Sequence, residues 1–181
     1  MRKEIEVKAK ADNLEELASK LESLGCAIAP PVRQNDAIFV DANYGAFEEF
    51  QPNKNLLRIR ESNGKFFFTI KQPKANQMDS IEYETEISNP EGMKETLLLM
   101  GYQEVIQVHK TRRKTNHNGW EICLDEIDGL GSFVEVEKIT DEADAEKVQN
   151  ELFAFLEGLG VKREDRIFDG YDTLLYLKSK E

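Results

Sequence analysis

The chain has 181 residues, of which 40% are hydrophobic and 33% charged, a composition typical of a globular protein. Its 24 basic and 35 acidic residues give a net charge of −11, which argues against broad binding to nucleic acids or anionic membranes. No apolar run reaches the ~20 residues of a transmembrane helix, and the N-terminal residues lack the apolar segment of a signal peptide. We therefore expect a cytoplasmic protein that binds neither nucleic acid nor membrane.

The N-terminal half is predicted to combine strands with one helix and one hairpin. Polar and apolar residues alternate over 4–10, which predicts a strand, and leucines at helical spacing predict a helix over 14–24. Residues 44–55 contain glycine and proline and are expected to form a loop. The sequence Ser62-Asn63-Gly64 is typical of a hairpin turn. Further strands are predicted over 37–40, 56–61, 65–71 and 81–88.

The C-terminal half continues this pattern and adds three helices. Pro90 begins a predicted helix that ends at Gly101, and apolar residues from Val148 to Leu159 predict a long amphipathic helix. A short terminal helix is expected over 171–177. The eight predicted strands have hairpin-like spacing, which favours antiparallel pairing and an α+β fold. We expect one domain over 1–181, with C-terminal helices from about residue 141. The remaining strands are predicted over 104–114, 120–125 and 133–138.

Most strands carry one apolar face and one charged face, because residues two apart on a strand point the same way. An ordinary sheet with one solvated face would give the same alternation. However, whole faces carry one sign of charge, as at Glu82, Glu84 and Glu86, and like charges side by side repel. A closed barrel would bring acidic and basic strands together, and eight strands suffice to enclose a small ligand. We predict a closed eight-stranded antiparallel β-barrel with a charged interior and helices packed outside.

The predicted interior combines a group of cations with pairs of carboxylates. Arginine binds phosphate oxygens through two parallel hydrogen bonds, whereas lysine acts as a point charge. Magnesium is typically held by one or two carboxylates together with substrate phosphates. The expected ligand is therefore a metal-bound polyanion. The cations that would meet in the interior are Arg58, Arg60, Lys71, Lys110 and Arg112.

The order of the charged motifs along residues 4–137 is the most specific feature of the sequence. The motifs are Glu4-Ile5-Glu6-Val7-Lys8, Leu57-Arg58-Ile59-Arg60, Thr69-Ile70-Lys71, Glu82-Tyr83-Glu84, Lys110-Thr111-Arg112, Leu124-Asp125-Glu126 and Gly129–Glu137. This order resembles that of the CYTH superfamily, also called the triphosphate tunnel metalloenzymes. Residues 171–175 resemble the terminal Y-x-x-L-L of its class IV adenylyl cyclase (CyaB-like) branch. Two departures concern the substrate pocket: Ile38 stands in place of an aromatic residue, and Gly170 in place of a frequent serine.

The resemblance implies a role for each charged motif. It implies that Mg²⁺ or Mn²⁺ binds to Glu4, Glu6, Glu135 and Glu137. It implies that the triphosphate binds to Lys8, Arg58, Arg60, Lys71, Lys110 and Arg112. Lys8 and Asp125 are the expected catalytic residues, and Glu82 and Glu84 are additional acidic candidates. A homodimer is expected from the resemblance alone.

Several functions remain compatible with these residues. The resemblance implies conversion of ATP to cyclic AMP and pyrophosphate. A triphosphatase acting on inorganic triphosphate, thiamine triphosphate or a nucleotide would use the same charged groups, and a non-catalytic polyphosphate-binding module is a third alternative. A barrel that carries apolar ligands is disfavoured by the charged faces. Structural zinc is not expected, because Cys26 and Cys123 belong to no C-x-x-C motif or Cys/His cluster.

Overall fold

The computed structural model describes residues 3–43, 50–141 and 144–181. Its long strands follow the predicted alternation of polar and apolar residues. They are β1 (Lys3–Lys10), β2 (Val32–Asp41), β3 (Leu56–Ser62), β4 (Lys65–Pro73), β5 (Asp79–Ile87), β6 (Tyr102–His117), β7 (Trp120–Ile127) and β8 (Gly131–Thr140). A two-residue strand, β9 (Arg166–Ile167), follows a 3₁₀ turn. The helices are α1 (Leu14–Ser23), α2 (Pro90–Leu99), α3 (Ala145–Gly158) and α4 (Tyr171–Lys178).

The eight long strands form a closed antiparallel barrel, as predicted. Each strand pairs with its neighbours in the order β5-β4-β3-β2-β6-β7-β8-β1, and a short pairing between β1 and β5 closes the circle. At this seam Glu4 lies opposite Ser80 and Ile5 lies opposite Asp79. Farther along β1, the same edge pairs with β9 through Lys8 and its neighbour. Closure leaves the barrel with an interior face to which every second residue of each strand contributes.

The predicted hairpin between β3 and β4 is confirmed. Its two central residues, Asn63 and Gly64, have φ values of 52° and 73°. Two successive positive φ values are the mark of a type I′ turn, which matches the twist of the two strands that it joins. The register that this turn sets places Arg58 opposite Thr69 and Leu56 opposite Lys71.

The helices cover the apolar outer faces of the barrel. Outward residues of β1, β7 and β8, such as Val7 and Val136, pack with α1 and α3 through Leu21 and Leu152. A second cluster joins α2 to β2, β3 and β4 around Leu97. A third cluster surrounds Tyr171, the first residue of α4, and includes Ile38 and Val108, which line the barrel interior together with Tyr171 and do not belong to the outer face. The charged residues of the same strands therefore face inward, as expected for a barrel of this kind. No helix in the described ranges has the length and apolar content needed to cross a membrane.

The structure extends some predicted elements. The predicted strand 37–40 is the end of β2, whose first half is polar because it faces the charged interior. A register shift between Ile38 and Phe39 also interrupts its alternation. Strand β6 is longer at both ends than predicted, and β9 is too short to leave a sequence pattern. Of the predicted loop 44–55, residues 44–49 lie outside the described ranges.

Candidate functional site

A cavity of about 470 Å³ occupies the inside of the barrel. Side chains from all eight long strands line it, because alternate residues on each strand point inward. Its charged lining consists of both acids and bases, which the closed sheet brings within a few ångströms of each other. The charged lining residues on the strands are Glu4, Glu6, Lys8, Asp36, Arg58, Arg60, Lys71, Glu82, Glu84, Lys110, Arg112, Lys114, Glu121, Glu135 and Glu137, and Lys54 and Asp172 also line the cavity.

One side of the cavity is built from two arginines that are fixed by buried aspartates. Arg60 donates through Nε and a terminal nitrogen to the two carboxylate oxygens of Asp36, each at 2.7 Å. Arg112 binds Asp125 in the same two-pronged manner, with Nε 2.7 Å from Oδ1. We call Arg60 and Arg112 the arginine wall. Burial opposes ionisation of Asp36, but the hydrogen bonds and charge of Arg60 hold the pKa of its carboxyl below the ordinary value.

Asp125 supports the arginine wall from behind and is fully buried. It receives a hydrogen bond of 3.0 Å from the hydroxyl of Tyr171 in addition to those of Arg112. Its carboxylate does not line the cavity, so its geometry is that of a group that orients Arg112. The expected catalytic role of Asp125 therefore stays a prediction, and the structure suits it to a positioning role.

Lys8 and Glu135 form a buried ion pair beside the arginine wall. The ammonium nitrogen of Lys8 lies 2.9 Å from Glu135 Oε1 and 4.0 Å from the centre of the Tyr171 ring. The other oxygen of Glu135 accepts a short hydrogen bond from Arg112. Burial would raise the pKa of Glu135, but the charges of Lys8 and Arg112 outweigh it and hold that pKa well below the ordinary value. Both oxygens of Glu135, an expected metal ligand, are thus engaged by cations.

Arg58 reaches across to the acids of β5. One terminal nitrogen donates to Thr69 Oγ1 at 3.1 Å and lies 3.1 Å from Glu82 and 3.3 Å from Glu84. Its Nε is buried and has no hydrogen-bond partner in the described chain. An unsatisfied buried donor of this kind costs free energy and would gain most from an anionic ligand.

Three carboxylates that face one another form the opposite side of the cavity. Glu4, Glu6 and Glu137 each place an oxygen within 4.8 Å of the others, and we call them the acid cluster. Burial, followed by repulsion from neighbouring acids, raises the pKa of Glu4 to about 7 and that of Glu137 well above its ordinary value. An all-oxygen donor set fits a hard divalent cation such as Mg²⁺ or Mn²⁺.

The cation nearest to the acid cluster is Lys71. Its ammonium nitrogen lies 3.5 Å from Glu6, 3.6 Å from Glu4 and 3.7 Å from Glu82. Burial disfavours the charged ammonium, but these carboxylates outweigh burial and raise the pKa of Lys71 well above its ordinary value.

Lys110 differs from the other predicted phosphate-binding cations because it has no carboxylate within 4 Å in the described chain. It is buried, and its ammonium nitrogen lies 5.3 Å from the centre of the Tyr171 ring. Burial, followed by repulsion from Arg112, lowers the pKa of Lys110 to about 8. Its positive charge is available to an anion without the loss of an existing ion pair.

The structure brings nearly all of the predicted site residues to one cavity. The exception is Asp125, which lies behind the wall. The sequence analysis did not predict Asp36, Tyr171, Lys114 or Glu121 as site residues. Lys114 and Glu121 form an ion pair whose charged atoms are 2.5 Å apart. The ion pair could have been predicted from the sequence. Lys114 continues the alternation of Lys110 and Arg112, and Glu121 continues that of Cys123 and Asp125.

Comparison with known proteins now identifies the family. A sequence profile of the CYTH domain matches residues 2–171 of the chain. The chain belongs to the CYTH family. A relative from Methanocaldococcus jannaschii, named "Putative adenylate cyclase MJ0240", is 30% identical over 171 residues, which are 93% of this chain and 95% of the relative. The resemblance that the charged motifs indicated is thus confirmed at the level of the family.

Solved structures support the same fold for this CYTH protein. The PH1819 protein from Pyrococcus horikoshii OT3 superimposes with a TM-score of 0.79 at 28% identity, over 97% of this chain and 99% of that chain. A structure from Hippeastrum, described as "Putative adenylyl cyclase HpAC1", has a TM-score of 0.64 at 22% identity, over 100% of this chain and 97% of that chain. The same description ascribes a dominant triphosphatase activity to the Hippeastrum protein.

Proposed function

We propose that this CYTH protein is a divalent-metal-dependent enzyme of the class IV adenylyl cyclase type, which converts ATP to cyclic AMP and pyrophosphate. The observation that carries the proposal is the division of one cavity into an acid cluster and a set of cations. A metal-bound triphosphate has the complementary distribution of charge, with a dication on one side and anionic oxygens on the other.

The cations would hold the triphosphate by replacing contacts that they now make with acids. Lys110 has no such contact to lose, and Arg58 has a free Nε–H. Arg60 and Arg112 keep N–H groups that their aspartates do not use, since a guanidinium has five donors. A triphosphate held by these groups would be kept extended and its charge neutralised, which is the main requirement for phosphoryl transfer.

The acid cluster would hold the metal through Glu4, Glu6 and Glu137. When bound, the metal neutralises phosphate charge and polarises the phosphorus that is attacked. Glu135, Glu82 and Glu84 would support the neighbouring cations instead. Lys8 stays a predicted phosphate-binding and catalytic residue, because its buried ammonium faces the cavity between Glu135 and the Tyr171 ring.

In the cyclase reaction, the ribose 3′-oxygen attacks the α-phosphorus and pyrophosphate leaves as the bond to the α-phosphorus breaks. The ribose hydroxyl loses a proton in this step. The relative from M. jannaschii, whose name refers to adenylate cyclase and which covers nearly the whole chain, favours this reaction.

Hydrolysis of a triphosphate is the second candidate. It would use the same cations and acid cluster, with water attacking the terminal phosphorus. The bond from that phosphorus to the bridging oxygen breaks, the diphosphate part of the substrate leaves, and the attacked phosphorus becomes orthophosphate. The triphosphatase activity named for the Hippeastrum protein, which has the same fold, favours this alternative. So does Ile38, which lines the cavity where related sequences have an aromatic residue that could contact a base.

Product analysis by ³¹P NMR and chromatography distinguishes the candidates. ATP and inorganic triphosphate would be incubated separately with the purified protein and Mg²⁺ or Mn²⁺, with a chelator as the control. Cyclic AMP with pyrophosphate is the expected result. Orthophosphate without cyclic AMP would replace the cyclase proposal by the triphosphatase. Binding of both compounds without any turnover would leave a non-catalytic binding module.

A further inference from the structure

Lys71 lies beside the acid cluster at which the proposed function places a metal ion. Its ammonium nitrogen is nearly equidistant from Glu4, Glu6 and Glu82, at 3.5 to 3.7 Å. Two of these three carboxylates belong to the acid cluster. A single positive charge therefore stands among oxygens that could otherwise surround a divalent cation.

The contacts of Lys71 with carboxylates are longer than the contact of Lys8 with Glu135. Lys8 lies 2.9 Å from Glu135, a normal length for a charge-assisted hydrogen bond. Within the described ranges no Lys71 contact with a carboxylate is this short, and the longest of them reaches 3.7 Å. Lys71 thus balances the charge of several carboxylates without a close contact to any single one.

We propose that Lys71 is a resident cation of the acid cluster, which a divalent metal displaces and which then becomes a ligand of the triphosphate. This inference rests on the proposed metal-dependent function and adds an order of events within the site. Before metal binds, the ammonium keeps Glu4 and Glu6 near each other despite their repulsion. After metal binds, Lys71 is repelled by the dication and attracted to the nearest phosphate oxygen.

This exchange makes metal binding and triphosphate binding cooperative. The metal alone must compete with Lys71, which weakens its binding to the ligand-free protein. The displaced ammonium binds phosphate more readily, so each ligand strengthens the other, and the coupling is reciprocal. A lysine that only contacted phosphate would not affect metal affinity in the absence of phosphate beyond its general electrostatic field.

The test measures Mn²⁺ affinity by electron paramagnetic resonance of the free ion, first without any triphosphate. Lys71→Met removes the resident cation. Lys110→Met is the matched control, because it removes one charge from the same cavity but from a lysine without carboxylate contacts. We expect Lys71→Met to bind Mn²⁺ at least about tenfold more tightly than wild type, and Lys110→Met to change the affinity by less than about threefold.

A second set of titrations follows Mn²⁺ in the presence of imidotriphosphate, a non-hydrolysable analogue. Wild type should show strong mutual enhancement of Mn²⁺ and analogue binding, and Lys71→Met should lose most of it while its analogue affinity falls. Lys71→Gln, with a different side-chain shape, should repeat both results if Lys71→Met folds poorly by circular dichroism.

Two results would overturn the proposal, and they have different consequences for the proposed metal-dependent function. If Mn²⁺ binds wild type and both Lys71 variants with equal affinity, Lys71 does not occupy the metal position, although the metal-dependent function stands. If Mn²⁺ binds none of the proteins, with or without the analogue, the proposed metal site fails together with the role of Lys71.

Discussion

The arginine wall and the acid cluster face the same cavity but differ in how their buried charges are neutralised. In the wall, each arginine is held by an aspartate through two hydrogen bonds. In the cluster, three carboxylates face one another, and burial together with mutual repulsion raises the pKa of Glu4 to about 7. The arginines of the wall are paired without a ligand, whereas we expect the cluster to gain positive charge from a metal.

This difference predicts that the two regions respond in opposite ways to the loss of a carboxylate. Removing one partner from a buried ion pair leaves an uncompensated charge. Removing one carboxylate from a cluster of like charges relieves repulsion. We therefore expect the loss of a carboxylate at the wall to reduce stability, and the loss of a carboxylate in the cluster to reduce ligand binding.

The largest expected effect is on stability and concerns Asp125→Asn. The change removes the charge that Arg112 faces behind the wall, and we expect the free energy of unfolding to fall by about 3–5 kcal/mol. Denaturant unfolding followed by circular dichroism measures it. Tyr171→Phe is the control, since it deletes only the hydroxyl that donates to Asp125 and should cost about 1 kcal/mol. Equal losses for the two variants would show that the Arg112–Asp125 pair is not the main contribution.

The next effect is on metal affinity and turnover and concerns Glu6→Gln. The variant keeps the size of the side chain but removes a charge from the acid cluster, so we expect at least a roughly 100-fold loss in both properties. Its melting temperature without metal should equal or exceed that of wild type. A Glu6→Gln protein that retains metal-dependent turnover would place the metal elsewhere.

A smaller effect concerns the pH dependence of triphosphate binding, in which Lys110 should differ from the cations that are paired with carboxylates. Lys110 faces Arg60 and Arg112 as repelling charges and Asp36 and Asp125 as attracting ones, and its pKa is about 8 in the free protein. Bound phosphate raises that pKa, so the complex holds more protons than the free protein above pH 8. Affinity for a triphosphate should consequently fall as pH rises above 8, by up to about tenfold per pH unit.

The matched variant for this prediction is Lys110→Arg, because arginine stays charged throughout the range. Calorimetric titration with imidotriphosphate at pH 7.5, 8.5 and 9.5 would measure both proteins. A decline of the same steepness in Lys110→Arg would assign the pH dependence to another group.

Much of the barrel was predictable because its strands alternate with a period of two, and the side-chain charges on one face of each strand show which face is enclosed. The partners of each charge were not predictable, because alternation does not determine register. Glu135 and Glu137 illustrate this on one face of β8. Glu135 lies opposite Lys8 and is neutralised, whereas Glu137 lies opposite Glu6 and joins the acid cluster. The pairing of β1 with β8 and the reach of Arg112 from β6 to Glu135 give the two glutamates different surroundings.

The position of Lys71 depends in the same way on pairings that sequence cannot reveal. The pairing of β4 with β5 places Lys71 opposite Glu82, and the seam between β1 and β5 places Glu4 opposite Ser80, two residues before Glu82. These two registers together place an ammonium group among three carboxylates. The motif containing Lys71 indicated a phosphate ligand, but its contact with the acid cluster required the closed barrel.

The most direct test of the central claim, that the cavity binds a triphosphate together with a metal at the acid cluster, is calorimetric titration with imidotriphosphate in Mn²⁺ and in chelator. We predict that chelation, or Glu6→Gln in the presence of Mn²⁺, weakens binding by at least about 100-fold. Equal affinity in Mn²⁺ and in chelator would contradict the account, because the cations alone would then bind the triphosphate and the acid cluster would have no part in it.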